Sequence, residues 1–177
     1  MCGNGARCLV SFAEFLGRAK SSGTFSADDG IHYYSIHGDL VEVEMIVNGE
    51  LQGWDIPRIG CGFIDTGVPH LIIPSQDAAS ENLDPLGRKM NSHEAHPLGT
   101  NVNIVEKLSH SVKVRTWERG VNVETLACGT GAVATAIFAH KKWNFEWPIR
   151  LSFPGGDLEV DQRGNQYWLK GPAQLVF

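Results

Sequence analysis

The pentapeptide Cys-Gly-X-Gly-Ala occurs twice in this chain of 177 residues, at positions 2–6 and 128–132. Apolar residues at helical spacing follow each copy, which predicts one helix from residue 6 to about 19 and another from about 131 to 142. We expect both helices to be mostly buried. The fold must therefore present two similar helix N-termini, each with a cysteine at its start.

The same order of elements follows both predicted helices: a strand, a turn with Gly-Asp, and a second strand. In the first copy the strands are predicted over residues 31–36 and 40–45, with Gly38 in the turn. In the second copy they are predicted over residues 149–153 and 158–160, with Gly156 in the turn. This repetition indicates an internal duplication.

Further strands and one long connection are predicted between the two copies. The strands are predicted over residues 62–65, 71–73, 102–106 and 112–117. Residues 75–100 are rich in polar residues, glycine and proline, and indicate a surface connection with at least one helical turn.

Composition excludes several classes of protein. A net charge of −5 provides no basic surface for nucleic acid or an anionic membrane. No apolar run approaches the roughly 20 residues of a membrane span. Four scattered cysteines are too few for a secreted disulfide scaffold, so we expect a cytoplasmic protein with free thiols. We interpret Cys8 and Cys61 as small buried residues.

The two cysteines at helix starts suggest a two-base enzyme. A helix N-terminus lowers the pKa of a cysteine thiol, and its free N–H groups can hold a carboxylate. If Cys2 and Cys128 face one cleft, one sulfur can remove an α-proton while the other returns a proton from the opposite side. That arrangement suits racemisation or epimerisation. It needs no cofactor in principle if the site stabilises the carbanion.

Other readings of the motifs are weaker or stay open. Residues 129–134 fit the dinucleotide pattern G-x-G-x-x-A, but the expected βαβ unit is missing. A zinc site is disfavoured because no C-x-x-C occurs and His93 and His96 have the wrong spacing. A Cys-His hydrolase leaves the second motif unexplained. A redox protein that joins Cys2 and Cys128 in a disulfide stays open.

Three further segments have the character of a binding site. Glu118 and Arg119 precede a glycine and are candidates to bind both ends of an amino acid, or they form a solvated ion pair. His70 follows a Gly/Pro turn, from which it can adjust a thiol. Asn101 and Asn103 lie on one face of a predicted strand. Either is a candidate ligand, with turn or edge roles as the alternative.

These motifs together resemble diaminopimelate epimerase, the cofactor-independent epimerase of lysine and peptidoglycan precursor synthesis. The resemblance covers essentially the whole chain, in the right order. It rests on residues 1–8, 66–70, 101–103, 118–120, 124–131 and 171–173.

The resemblance implies an α+β fold of two pseudo-symmetric domains, each with strands wrapped round a central helix and the active site in the cleft between them. Residues 1–47 would form a partial N-terminal half-domain, to which a last strand at 171–177 returns. Residues 48–170 would form the C-terminal domain. Family members also carry a long N-terminal stretch before the first cysteine motif, so we expect the first domain to be incomplete here.

The resemblance also implies roles for individual residues. Cys2 and Cys128 would be the acid/base pair, and His70 and Glu118 would adjust the ionisation of the thiols. The implied substrate-binding residues are Gly3, Asn4, Asn101, Glu118, Arg119, Gly129 and Thr130. The implied reaction converts LL-2,6-diaminopimelate into the meso form without cofactor or metal. By analogy, a homodimer is expected.

One position departs from the family pattern. Val68 stands where the family usually has Asn, and a valine cannot make the hydrogen bonds of that amide. A racemase acting on another amino acid is therefore an alternative. An inactive or binding-only fragment of such an enzyme is the other.

Overall fold

The structure is a computed structural model that describes residues 1–174. Within that range it contains three helices and twelve strands, and no helix there is long and apolar enough to cross a membrane. The helices are α1 (Gly3–Phe15), α2 (Leu83–Asn91) and α3 (Gly129–Trp143). The first six strands are β1 (Ser22–Ala27), β2 (Gly30–His37), β3 (Leu40–Met45), β4 (Gln52–Trp54), β5 (Cys61–Asp65) and β6 (Pro69–Ser75). The others are β7 (Asn101–Lys107), β8 (Val112–Glu118), β9 (Val123–Thr125), β10 (Ile149–Phe153), β11 (Gly156–Arg163) and β12 (Gln166–Pro172).

All twelve strands belong to one sheet. Its order is β1-β2-β3-β12-β11-β10-β8-β7-β6-β5-β4, and β9 pairs separately with β8. Neighbours are antiparallel except β6 with β7 and β8 with β10, which are parallel. A mixed sheet with three helices confirms the α+β class.

Both predicted hairpins are present. β2 and β3 meet at the pair His37 and Leu40, with Gly38 in the left-handed region at φ 61°. β10 and β11 meet at the pair Phe153 and Gly156, so Pro154 and Gly155 form the turn. Gly156, the predicted turn glycine, is the first residue of β11. The two hairpins do not occupy equivalent places, because β1 lies between α1 and β2, whereas β10 is the first strand after α3. The order β1-β2-β3-β12-β11-β10 instead matches β1, β2 and β3 with β10, β11 and β12, so the repeat contains three strands after each helix.

The last described strand joins the two copies. β12 lies between β3 and β11, and Gly171 and Pro172 pair with Val41 and Leu40. Gly171 and Pro172 thus lie beside the first copy, while residues 175–177 of the predicted returning strand lie outside the described part. The division into domains 1–47 and 48–170 stays a prediction.

α3 is the centre of the main core. Every residue from Gly129 to Ala139 is buried, because strands β5 to β8 and β10 to β12 pack around the helix. A second core lies on the other face of the sheet, under α2. Alternating side chains show the two faces: Ile72 of β6 belongs to the main core, whereas Leu71 and Ile73 belong to the second.

α1 differs from the expectation of a mostly buried helix. Gly3, Ala6, Arg7 and Val10 are buried against β3, β12 and α3, but the opposite side is exposed. The exposed apolar residues of α1 and its end are Leu9, Phe12, Phe15 and Leu16. Cys8 lies on the same side, so the interpretation of Cys8 as buried was wrong, while that of Cys61 is confirmed.

Candidate active site

The two cysteine motifs meet at their glycines. Cys2 and Cys128 are the N-cap residues of α1 and α3, both in extended conformation, with φ −92° and −126°. A Cβ built on Gly129 would lie 3.0 Å from Cα of Gly3, and one built on Gly3 would lie 3.3 Å from Cα of Gly129. Glycine at both positions therefore permits contact between the two helix N-termini.

A cavity of about 340 Å³ lies at this junction. It is lined by every residue that the resemblance implies for catalysis or substrate binding, whereas His70 lies behind Thr130. The lining residues are Met1, Cys2, Gly3, Asn4, Val68, Asn101, Glu118, Arg119, Ala127, Cys128, Gly129 and Thr130. The fold thus brings together segments that are far apart in the sequence.

The Cys128 thiol is buried beside a carboxylate. The residue is only 7% exposed, and its Sγ lies 3.4 Å from Oγ1 of Thr130. Burial, and secondly the negative charge of Glu118, raise the pKa of Cys128 to about 12. Cys128 is therefore a protonated thiol near neutral pH.

Cys2 occupies the matching position with a different exposure. Its side chain is exposed at the cavity, and its Sγ accepts a hydrogen bond of 3.5 Å from the backbone N–H of Gly5. That bond satisfies one of the free N–H groups of the first helical turn. The two copies thus present one exposed and one buried sulfur to the same cavity.

His70 is linked to Cys128 by contacts through Thr130. Asn103 donates from Nδ2 to His70 Nδ1 at 2.9 Å, so the ring proton lies on Nε2 and donates to Thr130 Oγ1 at 3.0 Å. Thr130 is then free to donate to the Cys128 sulfur. Burial lowers the pKa of His70 to about 3, so the ring is neutral.

Asn101 and Asn103 have separate places. Asn103 is fully buried behind His70 and accepts from Thr116 at 2.9 Å. Asn101 lines the cavity, donates to the carbonyl of Pro69 and accepts from the backbone N–H of Arg119 at 2.8 Å. Of the two candidates, Asn101 is the one within reach of a ligand.

Glu118 and Arg119 are positioned by the strand end of β8 and by neighbouring loops. Glu118 accepts from Thr125 Oγ1 at 2.6 Å. Arg119 donates from Nη1 to the carbonyl of Leu98 at 2.9 Å. The two residues do not form an ion pair with each other, so the alternative of a solvated ion pair does not describe them.

The structure gives a place to three motif residues for which the sequence predicted no role. Met1 and Ala127 line the cavity because each precedes one of the cysteines. Thr66 donates to the backbone carbonyl of Thr130 at 3.1 Å, which fixes the first turn of α3. Met1 and Ala127 could have been inferred from their positions beside the cysteines, whereas the motif at 66–70 contains Thr66 without indicating its partner on α3. Within residues 1–174, no three His, Cys, Asp or Glu side chains are grouped as a metal ion requires.

Exposure and charge predict different reactivity for three of the four cysteines. At pH 8 we expect iodoacetamide to modify exposed Cys8 quickly, and buried Cys61 and Cys128 slowly, because burial raises the pKa of both buried thiols. Glu118→Gln removes a negative charge, so the pKa of Cys128 should fall and its modification should become faster. Peptide mass mapping over time measures each rate.

Glu159→Gln is the control for this measurement, because Glu159 lies on β11 and pairs with Lys170 outside the cavity. The electrostatic account is wrong if Cys128 reacts as quickly as Cys8 in the unmodified sequence. It is also wrong if Glu118→Gln leaves the rate at Cys128 unchanged.

Comparisons of the sequence with known proteins identify a family model and relatives that it resembles. A family model described as diaminopimelate epimerase matches residues 62–176. The diaminopimelate epimerase of Flavobacterium psychrophilum is 38% identical over an alignment that covers all of this chain and 71% of the relative. The diaminopimelate epimerase of Aquifex aeolicus is 41% identical, with all of this chain and 68% of the relative covered.

Solved structures with a similar fold are more distant in sequence. A phenazine biosynthesis protein of the PhzF family from Bacillus anthracis has a TM-score of 0.73 at 14% identity, covering 97% of this chain and 73% of that protein. A predicted epimerase from Pseudomonas aeruginosa has a TM-score of 0.70 at 15% identity, covering 97% and 71%. At such identity the likeness shows the fold alone.

Proposed function

This chain belongs to the diaminopimelate epimerase family of isomerases, and we propose that it interconverts LL- and meso-2,6-diaminopimelate with two cysteines and no cofactor. The observation that carries the proposal is one cavity lined by both Cys2 and Cys128, each at the start of a helix. The proposal includes a role in making lysine and peptidoglycan precursors, a cytoplasmic location and a homodimer.

The junction of the two helices is the proposed site of the substrate α-carboxylate. Residues in the first turns of both α1 and α3 line the cavity, and helix N-termini favour negative charge. Gly3, Asn4, Gly129 and Thr130 belong to these turns. A carboxylate held there would place its α-carbon between the two sulfurs.

Each turnover removes one proton from the α-carbon of the substrate and adds another proton to the same carbon. The thiolate of one cysteine takes the α-hydrogen, and the electron pair of the broken C–H bond stays on a carbanion next to the carboxylate. The thiol of the other cysteine then protonates that carbon on the opposite face. Helix N–H groups stabilise the charge that develops on the carboxylate.

The raised pKa of Cys128 makes it the proton donor at the start of a turnover. In the reverse direction Cys128 must first lose its proton, and the adjacent Glu118 carboxylate is the group placed to accept it. Thr130, held by His70, stabilises the resulting thiolate by donating a hydrogen bond. Asn101 and Arg119 are proposed to bind the polar groups of the substrate.

A racemase acting on another amino acid is the second candidate, and Val68 is the observation that favours it. Its half-buried side chain gives the cavity an apolar wall. An apolar wall leaves a polar group of the substrate without a partner. The two candidates share the two-thiol chemistry and differ in which amino acid is bound.

The test is stereochemical. The reduced protein, without added cofactor, is incubated with LL- or meso-2,6-diaminopimelate, and the isomers are separated by chiral chromatography. We expect both starting isomers to approach the same mixture. Val68→Asn should increase kcat/KM for this substrate if the apolar wall weakens its binding.

A panel of single L-amino acids separates the two candidates. Racemisation of one of them with a higher kcat/KM than that for diaminopimelate would replace the first candidate with the second. Absence of any stereochemical change with all these substrates would contradict both.

A further inference from the structure

Arg7 is a buried cation without a carboxylate partner. It is 5% exposed, and none of the ion pairs among residues 1–174 includes it. Its Nη1 donates to the carbonyl of Gly3 at 3.3 Å and its Nη2 to Oδ1 of Asn4 at 3.1 Å, while Nε has no partner there. Burying an unpaired charge is unfavourable, so its presence calls for a reason.

The internal duplication shows that the helix does not need a charge at this position. Arg7 is the fifth residue after Cys2, and the fifth residue after Cys128 is Val133, which is fully buried. Gly171 on β12 makes room for the guanidinium, because a Cβ there would lie 3.3 Å from Arg7 Nε. The first copy thus accommodates a cation where the second holds a small apolar side chain.

Arg7 holds Asn4, which is the X residue of the first Cys-Gly-X-Gly-Ala motif. Asn4 in turn reaches the residue that precedes the second motif. Asn4 accepts from Arg7 through Oδ1 and donates from Nδ2 to the carbonyl of Ala127 at 3.0 Å. Ala127 immediately precedes Cys128. Because Oδ1 is held by the guanidinium, the Asn4 amide is oriented with its N–H group towards that carbonyl.

In the second motif the X residue is Thr130, which is hydrogen-bonded to His70. Thr130 in turn contacts the Cys128 sulfur. Two hydrogen-bonded chains therefore end at Cys128, one through Thr130 at its side chain and one through Asn4 at the preceding carbonyl.

We propose that Arg7 is a positioning residue that fixes the direction of the Cys128 thiol relative to Cys2, acting through Asn4 and the carbonyl of Ala127. The catalytic part of this inference rests on the proposed function. Protonation on the face opposite to proton removal requires both sulfurs in line with one carbon. A displacement of about 1 Å at a catalytic group can lower the rate about 10²-fold.

The test compares Arg7→Met, Asn4→Ala and the double variant, with Arg163→Met as the control. Arg163 is also bonded to a neighbour, Glu42, by two hydrogen bonds, but it lies outside the cavity. Arg163→Met reports the effect of a lost arginine on stability alone. Arg7→Lys keeps the charge without the forked guanidinium and serves if Arg7→Met does not fold.

The first readout is the rate at which iodoacetamide modifies Cys128, which does not depend on activity. We expect a several-fold increase in Arg7→Met and in Asn4→Ala, no further increase in the double variant, and no change in Arg163→Met. Unchanged modification of Cys128 in both single variants overturns the inference. Independent, multiplying effects in the double variant also overturn it, because Arg7 would then not act through Asn4.

The second readout is deuterium at the α-carbon in D₂O, starting from the LL and from the meso isomer. A misdirected Cys128 leaves Cys2 able to remove and return a proton on one face. For one of the two starting isomers, the ratio of deuterium in recovered substrate to deuterium in product should then be several-fold higher in Arg7→Met than in the protein without substitutions. Equal losses of exchange and epimerisation would mark Arg7 as a structural residue only. The protein without substitutions could show no epimerisation while Arg7→Met still changes the reactivity of Cys128. That result would contradict the proposed function and support the positioning role of Arg7.

Discussion

Replacing either Cys2 or Cys128 with serine should lower kcat for epimerisation about 10³-fold, within the range known for loss of an acid or base. Both residues line one cavity at the start of a helix, and in the proposed reaction each handles a different proton. A serine hydroxyl is a much weaker acid than a thiol, so it neither forms the anion nor releases its proton readily. The measurement is the initial rate of isomer conversion in both directions.

Serine should preserve the fold, because it is a favoured N-cap residue and can accept the helix N–H bonds that a cysteine sulfur accepts. Cys8→Ser is the matched control, since Cys8 lies on the exposed side of α1. We expect that variant to keep its activity. Substantial activity in Cys2→Ser or in Cys128→Ser would show that only one thiol, or neither, is needed.

Gly131→Ala should lower kcat about 10²-fold and destabilise the fold by about 1–3 kcal/mol, as overpacking and misplacement usually do. A Cβ at this position would lie 2.7 Å from Oδ1 of Asn103 and 3.3 Å from Cε1 of His70. Because Asn103 fixes the ring of His70 and His70 holds Thr130, the added methyl group displaces the whole network beside Cys128. Kinetics and thermal unfolding measure the two effects.

The duplication supplies the matched control, Gly5→Ala. A Cβ on Gly5 would lie 3.7 Å from both Cβ and Sγ of Cys2, which is ordinary contact. Alanine is favoured over glycine within a helix by about 0.5–1 kcal/mol, so this variant should be as stable as the original or slightly more so. Similar losses in Gly5→Ala and Gly131→Ala would show that the His70 network has no special part.

Local patterns in the sequence predicted the elements that carry the site. The helices after both cysteines and the two hairpins were predicted because helical spacing, alternation and turn glycines are local properties. The helices begin earlier than predicted, at Gly3 and Gly129, directly after each cysteine. β1 was not predicted, because its sequence, Ser-Gly-Thr-Phe-Ser-Ala, has little apolar alternation and its pairing with β2 is a tertiary contact.

Burial and side-chain partners depended on the three-dimensional fold. Cys8 is exposed because periodicity shows which residues share a helix face but not which faces are covered. The identical motifs also conceal the difference between exposed Cys2 and buried Cys128, which arises because strands β5 to β8 and β10 to β12 enclose α3, whereas one side of α1 is uncovered. His70 contacts Thr130, a residue 60 positions away. No spacing rule could have identified that partner.

The most direct test of the two-thiol proposal is the isotopic content of the product formed in D₂O. The reduced protein converts LL-2,6-diaminopimelate without added cofactor, and mass spectrometry counts the deuterium in the meso isomer. Two-thiol chemistry predicts one deuterium at the inverted α-carbon, and no product from the variant in which Cys2 and Cys128 are both serine. Product without deuterium at that carbon, or deuterated product from the double variant, would contradict the account.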